Sequence, residues 1–462
     1  MLMRWAAGGI LLPAIGVLAL IGTAQGQPCV GDCDDDGQVA VNELITGVNM
    51  ALGLVTGSAC AAFLPDAGAT QPMVADLVSG VNNALNGCPV SATTAGIVFN
   101  AEANRLHAYR AAPGFPRQTV IPSDNDTGQD GSGRDINGQI CFTRGPRGEL
   151  RFISGEDTGQ GASHLTAGWG LFELEGEFPN FTWQQLNEFI PTYQPADDEA
   201  ENYGCGFLSD GRLVTTDVGN QAGGAGTGQL IMWFPPLDGV NGARYCKLDI
   251  GIATAQQIAV DDQDRIYVAS ARATGASPAG VTRYSGPFPT SDFPADGCGR
   301  IDPTGAPLVS VGRITKELFI PADGNLTNPG GIVLVPGGGF FVASVLNGVI
   351  AEYDATGVFK RRVLSPTRPG LPTATGNPIG LGLASDGTLY FADIGLQLRS
   401  GGGIGPGRDL GKVRRIRFVD GLPQPPEIMD ESLNFPDGIG ILELPVPTPT
   451  PLSDAQRRRA SR

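Results

Sequence analysis

Histidine is almost absent from this sequence, which has only two in 462 residues, His107 and His164. The chain also lacks the His-Glu-x-x-His and Cys-x-x-Cys patterns of zinc sites and the Gly-x-Ser-x-Gly pattern of a nucleophilic serine. These absences argue against zinc hydrolases and common serine hydrolases, although a Ser-His-Asp group can be assembled from distant residues. We interpret His107, in a stretch with strand character, as structural and His164, among glycines, as a loop residue.

Positive charge is also scarce. The chain has 31 Lys and Arg against 47 Asp and Glu, so its formal net charge is −16. Proteins that bind nucleic acids neutralise the phosphates with Lys and Arg, and a nucleic-acid partner is therefore not expected. An acidic surface is better suited to solvation or to the binding of cations.

Long apolar runs are missing after residue 21. Before it, Arg4 is followed by an apolar stretch from Ala6 to Ile21 and by small residues, a pattern typical of an export signal cleaved before Gln27. The alternative is an uncleaved membrane anchor, but Pro13 and several glycines interrupt the run. The sequence therefore predicts a secreted protein, extracellular or periplasmic, with no stable membrane span after cleavage.

The eight cysteines form two groups of four. These are Cys29, Cys33, Cys60 and Cys88, and Cys141, Cys205, Cys246 and Cys298. In an oxidising compartment, even groups favour disulfides over metal thiolates. Each group permits three pairings, which stay open here except for a preference for Cys246 with Cys298, because these two bracket one repeat unit.

An acidic motif occupies residues 32–43, with the sequence DCDDDGQVAVNE. Oxygen-bearing groups stand at positions 1, 3, 5, 7 and 12, and Gly37 stands at position 6. Ca²⁺ prefers six to eight hard oxygens, and the glycine allows the sharp turn that brings them together. The predicted ligands are Asp32, Asp34, Asp36, Gln38 and Glu43. The alternative, a solvated acidic turn that caps a helix, requires neither Gly37 nor Glu43 at those positions.

The calcium motif leads into a predicted helix from about Val41 to Leu54, and this unit is repeated. The apolar face of the helix is predicted to be Leu44, Ile45, Val48 and Leu52. Residues 75–85 repeat residues 42–52, but the second loop has Pro65, Ala67 and Ala69 where the first has aspartates. The second loop is therefore not expected to bind calcium.

A loop that leads directly into its helix, twice over, resembles the dockerin and EF-hand family of exported bacterial proteins, over residues 29–88. The resemblance implies Ca²⁺ as cofactor and, for a dockerin, a cohesin-like partner. The chain has Glu43 and Ala40 where dockerins usually have Asp and Asn, and its second loop is not acidic. These differences favour calcium binding over cohesin recognition.

A second repeat begins at Gly96 and consists of an apolar strand, a turn ending in Gly or Asp, and a strand ending in a small polar residue. Its copies span residues 141–154, 204–217, 257–270, 331–344 and 380–393. A sixth copy is divided between residues 436–441 and residues 97–109. The sequence therefore predicts a mainly β fold, a six-bladed β-propeller closed by pairing of its N- and C-terminal strands, with a small α-helical EF-hand-like module before it.

These repeats resemble six-bladed propellers of the NHL and gluconolactonase (senescence-marker-protein) families, over residues 96–445. The phrases that carry the resemblance are Asn-Pro-x-Gly at Asn328 and Asn377 and Tyr-Phe-Ala-Asp ending at Asp393. A gluconolactonase-like propeller implies a divalent cation at the mouth of the central channel, which polarises a lactone carbonyl and activates water. The residues that could hold it here are Asp217, Asn328, Asn377, Asp393 and Asp437. The alternative is that each of them caps its own turn, since Ser154, Ser270 and Ser344 stand at the same place in other blades.

The predicted organisation has four segments: an export signal (1–26), a calcium module (27–90), a propeller (91–445) and a Pro/Thr linker with a basic tail (446–462). Two functions stay open. In the first, the chain is a secreted calcium-binding protein whose propeller is a binding or scaffold module for an extracellular carbohydrate, peptide or surface partner. In the second, it is a metal-dependent lactonase or related hydrolase. No catalytic residue is assigned, and the sequence does not decide whether the chain is an enzyme.

Overall fold

The computed structural model describes residues 30–33, 39–56, 59–64, 71–86, 96–102, 104–122, 136–156, 168–193, 202–219, 226–239, 243–272, 278–366, 376–398, 404–419 and 421–443. The predicted export signal, Cys29, Asp34, Asp36, Gln38, Cys88, His164 and the tail 446–462 lie outside these residues. The chain divides into two compact units, Met1–Thr93 and Thr94–Arg462. In the described parts of both units, no helix has the length and apolar character needed to cross a bilayer.

The described part of the N-terminal unit contains two α-helices and a short 3₁₀ turn. The helices are α1 (Val41–Ala51) and α2 (Val74–Asn86), and the turn is Ala61–Phe63. Helix α1 begins where the sequence predicts but ends before Leu54, because Gly53 has a left-handed φ of 70°, which stops the helix. A disulfide joins Cys33 to Cys60 across this unit.

The core of this unit is built around Phe63, which lies between the two helices and is 1% exposed. A Cβ added to Gly47 of α1 would lie 2.6 Å from the Phe63 ring, and one added to Gly80 of α2 would lie 2.5 Å from it. Gly47 and Gly80 occupy equivalent places in the sequence repeat. The repeated glycines therefore let both helices approach the two sides of one aromatic ring.

Of the predicted apolar face of α1, Leu44 packs against the core of the unit, but the other three residues do not. Ile45, Val48 and Leu52 are 56%, 46% and 67% exposed, and the buried residues of the helix are Glu43, Gly47 and Met50. In α2, Val74, Val78 and Val81 are likewise exposed. The apolar periodicity is real, but the side that packs is the one where a missing side chain admits Phe63.

In the described residues, the second unit has six large sheets, the blades, each built on four antiparallel strands, and two small two-stranded sheets. Blade 1 contains β1 (Ile97–Glu102), β2 (Arg105–Arg110) and β3 (Arg117–Ile121). Blade 2 contains β4 (Ile136–Arg144), β5 (Leu150–Glu156), β6 (Trp169–Glu175) and β7 (Thr182–Phe189). Blade 3 contains β8 (Asn202–Phe207), β9 (Leu213–Asp217), β10 (Gly228–Phe234) and β11 (Arg244–Ile252). This is the predicted six-bladed propeller.

The remaining blades continue the same pattern. Blade 4 contains β12 (Ala255–Val260), β13 (Ile266–Ser270), β14 (Gly280–Ser285) and β17 (Thr315–Pro321), with β15 (Arg300–Ile301) and β16 (Pro307–Leu308) between the last two. Blade 5 contains β18 (Pro329–Leu334), β19 (Phe340–Ser344), β20 (Val349–Tyr353) and β21 (Phe359–Leu364). Blade 6 contains β22 (Pro378–Leu383), β23 (Leu389–Asp393), β26 (Gly411–Ile416) and β29 (Glu427–Leu433). Two small hairpins are β24 (Leu396–Leu398) with β25 (Ile404–Pro406) and β27 (Phe418–Val419) with β28 (Leu422–Pro423), and the last strand is β30 (Pro436–Leu442).

Blade 1 takes strands from both ends of the propeller sequence. Strand β30 pairs antiparallel with β1, from Leu442 opposite Ile97 to Pro436 opposite Glu102. The blade then continues through β2 to β3. The two fragments of the sixth repeat thus lie in one sheet.

Turn chemistry explains the first hairpin of the other blades. In blades 3 and 6 the turn is closed by Leu208 N–H donating to Arg212 O at 2.9 Å and by Ala384 N–H donating to Thr388 O at 3.0 Å. The residue before the closing one has a left-handed φ, as at Gly387 with 81°. Glycine adopts this conformation without strain, which is why Gly recurs at this place in the repeat.

A connection between β14 and β17 extends blade 3. Strand β16 pairs parallel with β11, so this sheet has six strands. The Cys246–Cys298 disulfide ties the connection to β11, which confirms the pairing favoured from the sequence. Beside it, Lys247 Nζ lies 2.6 Å from Asp302 Oδ2, and both side chains are fully buried.

Candidate functional sites: the calcium loop and the channel

The first and last ligands of the predicted calcium loop lie in the described part of the N-terminal unit. Asp32 and Glu43 are buried, with 6% and 5% of their surface exposed. Glu43 Oε1 accepts the Cys33 N–H at 2.6 Å, and Oε2 accepts the Ala40 N–H at 2.7 Å. Glu43 therefore joins the two ends of the loop. It lies where the carboxylate at position 12 closes a calcium loop, and calcium binding by this loop stays a prediction.

Six strands line the axis of the propeller, and each contacts the next around the ring: β30, β4, β8, β12, β18 and β22. Each is the first strand of its blade, and the second strand returns antiparallel to it. The first residues of the axial strands therefore lie at the same end as the last residues of the second strands. We call this the mouth end. The connections from β3 to β4, β5 to β6, β7 to β8 and β21 to β22 all join strands there.

The axial strands approach one another closely at their third residue. A Cβ added to Gly438 would lie 1.4 Å from Gly138 O, and one added to Gly380 would lie 2.1 Å from Asp437 O. Gly138, Gly204 and Gly331 have equally short distances of 2.2–2.4 Å to the neighbouring strand. Five of the six axial strands thus have glycine here, and the close backbone contact makes a narrow neck.

The sixth axial strand has Gln257 at this place, and its amide crosses the axis. Gln257 Nε2 donates to Leu381 O at 2.7 Å, and its Oε1 accepts the Leu381 N–H at 2.9 Å. Gln139 of β4 makes a similar crossing, with Nε2 donating to Ile258 O at 3.2 Å and Oε1 accepting the Cys205 N–H at 3.0 Å. The two amides join strands of non-adjacent blades and fill the axis below the mouth end.

All five predicted channel ligands lie at the mouth end. Asp217 ends β9, Asp393 ends β23, and Asp437 is the second residue of β30. Asn328 and Asn377 immediately precede β18 and β22. Their hydrogen bonds indicate what each of them does at this end.

Two of the aspartates are engaged by their own blades. Asp217 Oδ1 accepts the Gly219 N–H at 3.1 Å, and its Oδ2 accepts Gln229 Nε2 at 2.9 Å. Asp393 Oδ1 accepts the Asn377 N–H at 2.8 Å. Asp393 Oδ1 also accepts the Gly395 N–H at 3.2 Å. The bonds from Gly219 and Gly395 cap turns, which is the role that the sequence left open as the alternative, and the bonds from Gln229 and Asn377 join neighbouring strand ends of one blade.

The other three residues link neighbouring blades. Asp437 Oδ2 accepts the Gly138 N–H of blade 2 at 3.1 Å. The side-chain amides of Asn377 and Asn328 donate to backbone carbonyls of the preceding blade at 2.8 and 3.1 Å. In the described ranges, no three His, Cys, Asp or Glu side chains are grouped so that they could hold a metal ion. The channel cation therefore stays a prediction.

The mouth end also has buried polar residues besides the five predicted ligands, and of these the sequence analysis noted only Ser154, Ser270 and Ser344. Blade 6 contributes the predicted Asn377 and Asp393, and blades 1 to 5 contribute the additional residues: Asn100 and Glu102, Asn137 and Ser154, Asn202 and Gln229, Gln256 and Ser270, Ser344, and Thr254 before blade 4. The signal that could have found Asn137 and Asn202 is their place at the start of an axial strand, ahead of the neck glycine. Hydrogen-bonding capacity is thus concentrated at one end of the propeller.

His107 has the structural role expected from the sequence. It lies in β2, is 4% exposed, and its Nε2 is 3.3 Å from Glu102 Oε2. Burial alone raises the pKa of Glu102, but hydrogen bonds from His107 and from the Asn434 N–H outweigh it, and the pKa lies below its ordinary value of 4.5.

Neither a protein-family model nor a curated protein matches the chain. Among solved structures, a luciferin-regenerating enzyme is similar with 13% identity and a TM-score of 0.42, over 76% of this chain and 90% of that one. The calcium-binding protein regucalcin of Agrobacterium tumefaciens has 16% identity and a TM-score of 0.37, over 63% and 75%. A gluconolactonase of Xanthomonas campestris has 13% identity and a TM-score of 0.37, over 63% and 75%. At such values no activity or ligand is carried over, and it is the strand pairing of this chain that establishes a six-bladed β-propeller.

Proposed function

We propose that this chain is an exported protein whose propeller binds a small polar molecule at the mouth end of its channel. The observation that supports this most is the buried polar side chain that each blade brings to that end. A binding site for a small molecule combines an enclosed position with a few convergent polar groups. Since Gln139 and Gln257 fill the axis below, a molecule that enters at the mouth end cannot pass further along the channel.

Export is supported by the cysteines as well as by the predicted signal. Three disulfides lie in the described residues: Cys33–Cys60, Cys141–Cys205 and Cys246–Cys298. Disulfides persist in oxidising compartments and are rare in the cytosol. The proposed place of action is therefore outside the cytoplasmic membrane.

The N-terminal unit is proposed to bind one Ca²⁺ through Asp32, Asp34, Asp36, Gln38 and Glu43. Asp32 and Glu43 are supported by their burial, and Glu43 also by its position across the loop ends. A bound Ca²⁺ would offset the mutual repulsion of the loop aspartates and so stabilise the folded loop. A cohesin-like partner is a weaker proposal, because nothing in the described residues bears on it.

Thermal-shift screening of the mature chain tests the proposed binding. A panel of neutral sugars, sugar acids and lactones is expected to contain at least one compound that raises the melting temperature. Asp437→Asn, at the mouth, should weaken that stabilisation. The matched control is Asp354→Asn, because the Asp354 carboxylate also closes a turn, with Thr356 N–H at 2.8 Å, but in the β20–β21 hairpin at the opposite end. Equal effects of both substitutions, or no stabilising compound, would contradict the proposal.

Metal-dependent hydrolysis of a lactone is the second candidate. What favours it is the set of buried carboxylates at the mouth end: Asp217, Asp393 and Asp437 are 0%, 3% and 2% exposed, and Arg414 Nη1 lies 3.4 Å from Asp393 Oδ2. Buried carboxylates at one end of a channel attract divalent cations. If this function is present, gluconolactone hydrolysis followed by pH-stat should require an added divalent cation and should fall in Asp437→Asn but not in Asp354→Asn. Hydrolysis that is equal with and without the chain would exclude it for that substrate.

A further inference from the structure

Four buried side chains between blades 2 and 3 have a polar atom without a hydrogen-bond partner. The atoms are Trp169 Nε1, Asn137 Nδ2, Asn202 Oδ1 and Gln229 Oε1. Trp169, Asn202 and Gln229 are 0% exposed and Asn137 is 4% exposed. Buried polar groups in folded proteins are almost always paired, so four unpaired atoms in one interface call for a partner that the described residues do not supply.

Strand register brings these residues together at the mouth end. Gly155 pairs with both Asn137 and Trp169, so these two stand on either side of it in blade 2. A Cβ added to Gly155 would lie 3.0 Å from the Asn202 Cβ of blade 3. In turn, Asn202 and Gln229 both pair with Asp217. The mouth-end residues of blade 2 therefore face those of blade 3. The two blades approach closely here because Gly155 has no side chain.

The orientation of each amide is fixed by its other atom. Asn202 Nδ2 donates to Gly168 O at 2.8 Å, and Gln229 Nε2 donates to Asp217 Oδ2 at 2.9 Å, so the oxygens of both amides are left over. Asn137 Oδ1 accepts the Gly138 N–H at 2.9 Å, so its amino group is left over. The interface therefore offers two donors, from Asn137 and Trp169, and two acceptors, from Asn202 and Gln229.

This balance selects the chemistry of the missing partner. A cation would face the Trp169 and Asn137 N–H groups, and an anion would face two amide oxygens and the Asp217 carboxylate. A hydroxyl group both donates and accepts, so several hydroxyls on one neutral molecule match the set. Resting on the proposed binding function, we propose that the mouth end of the interface between blades 2 and 3 is the part of the site that recognises a neutral polyhydroxylated molecule, a monosaccharide or polyol.

Tryptophan indole resonances provide the test. The mature chain has three tryptophans, Trp169, Trp183 and Trp233. Trp233 is a matched internal control, because it is also fully buried in this interface but its Nε1 already donates to Thr215 Oγ1 at 2.8 Å. Titration of the ¹⁵N-labelled mature chain with D-glucose, D-galactose, D-mannose and myo-inositol should shift the Trp169 resonance with at least one of them and leave that of Trp233 in place.

Substitutions complete the experiment. Trp169→Phe and, independently, Gln229→Met should each weaken binding of the active compound at least about tenfold, since each removes one hydrogen bond to it, whereas Trp183→Phe should not. If a compound raises the melting temperature but leaves the Trp169 resonance unchanged, this inference is overturned while the proposed function stands. If no compound of the thermal-shift panel or of this set binds, both fail, and ordered water is then the partner of these four atoms.

Discussion

His107 Nε2 and Glu102 Oε2 lie 3.3 Å apart, buried in the blade that contains both ends of the propeller sequence. Glu102 is at the end of β1, and its other oxygen accepts the N–H of Asn434, which lies just before β30. The pair therefore connects the first strand of the propeller to the segment that leads into its last strand.

Acid is expected to weaken this connection. The pKa of Glu102 is lowered in the folded state from its ordinary value of 4.5, so its contribution to stability is complete above that value and is lost as the pH falls through the folded pKa. The melting temperature of the mature chain should therefore fall between pH 5 and pH 3, measured by calorimetry. Glu102→Gln should destabilise the chain by about 1–3 kcal/mol at pH 7 and flatten the acid decline. Glu175→Gln, at an exposed position in β6, is the control; an unchanged pH profile in Glu102→Gln would refute the assignment.

The amide of Gln257 is expected to hold the axis of the propeller together. Gln257→Met keeps the size of the side chain but leaves the Leu381 N–H and C=O without these bonds, which should cost about 1–3 kcal/mol for each group that stays buried and unpaired. Chemical denaturation checks the loss. Gln263→Met, in the exposed turn before β13, should be neutral. If Gln257→Met is as stable as the native chain, the amide bridge does not contribute.

The buried ion pair of Lys247 and Asp302 should respond differently to single and double substitution. Lys247→Met leaves the Asp302 carboxylate buried without its cation, and a loss of about 3–5 kcal/mol is expected. In the double variant Lys247→Met, Asp302→Asn, no charge remains, and the Asn oxygen can still accept the N–H groups of Thr304 and Ala306, which bind Asp302 Oδ1 at 2.8 and 2.9 Å. The double variant should thus be more stable than Lys247→Met alone. Denaturant midpoints measure this, and additive losses would count against the pair.

The blades were predictable because their information is local. A strand, a five-residue turn with a left-handed residue such as Gly387 or Asp264, and a second strand repeat along the chain, and each turn is closed by neighbours in sequence. The crossing of Gln257 to Leu381 joins residues 124 apart in sequence. No local pattern contains such a contact, so the bridge that Gln257 makes across the propeller axis could not be predicted from the sequence.

In the N-terminal unit, too, local patterns were predictable and contacts between distant residues were not. Its helix starts followed from the repeat, but the buried face of α1 depends on Phe63, which lies outside the repeated segments. Among the channel residues, position at the mouth end was predictable from strand ends. Their hydrogen-bond partners, such as Gly138 for Asp437, come from other blades and were not.

Calcium binding offers a prediction with a control built into the repeat. Glu43 Oε2 accepts the Ala40 N–H at 2.7 Å, and Asp76 Oδ2 accepts the Met73 N–H at 2.7 Å, three residues upstream in both cases. The two carboxylates therefore make the same helix-start contact, but only Glu43 follows a loop of aspartates. Titration calorimetry of the mature chain should give one Ca²⁺ per chain, and Glu43→Gln should weaken its binding by roughly 100-fold, because the bidentate carboxylate at position 12 is lost.

The Asp76→Asn variant shows whether an effect of Glu43→Gln comes from the loss of a calcium ligand or from the loss of the contact at the start of the helix. It removes the equivalent carboxylate from the second copy, where residues 65, 67 and 69 carry no acidic group, so calcium affinity should stay within about twofold of the native value if that loop binds no ion. At calcium a hundredfold above its dissociation constant, the N-terminal unit should gain about 2.7 kcal/mol, and Glu43→Gln should lose this gain while Asp76→Asn keeps it. Equal loss in the two variants would mean that Glu43 acts only at the start of its helix, since the helix-start contact is all that the two carboxylates share.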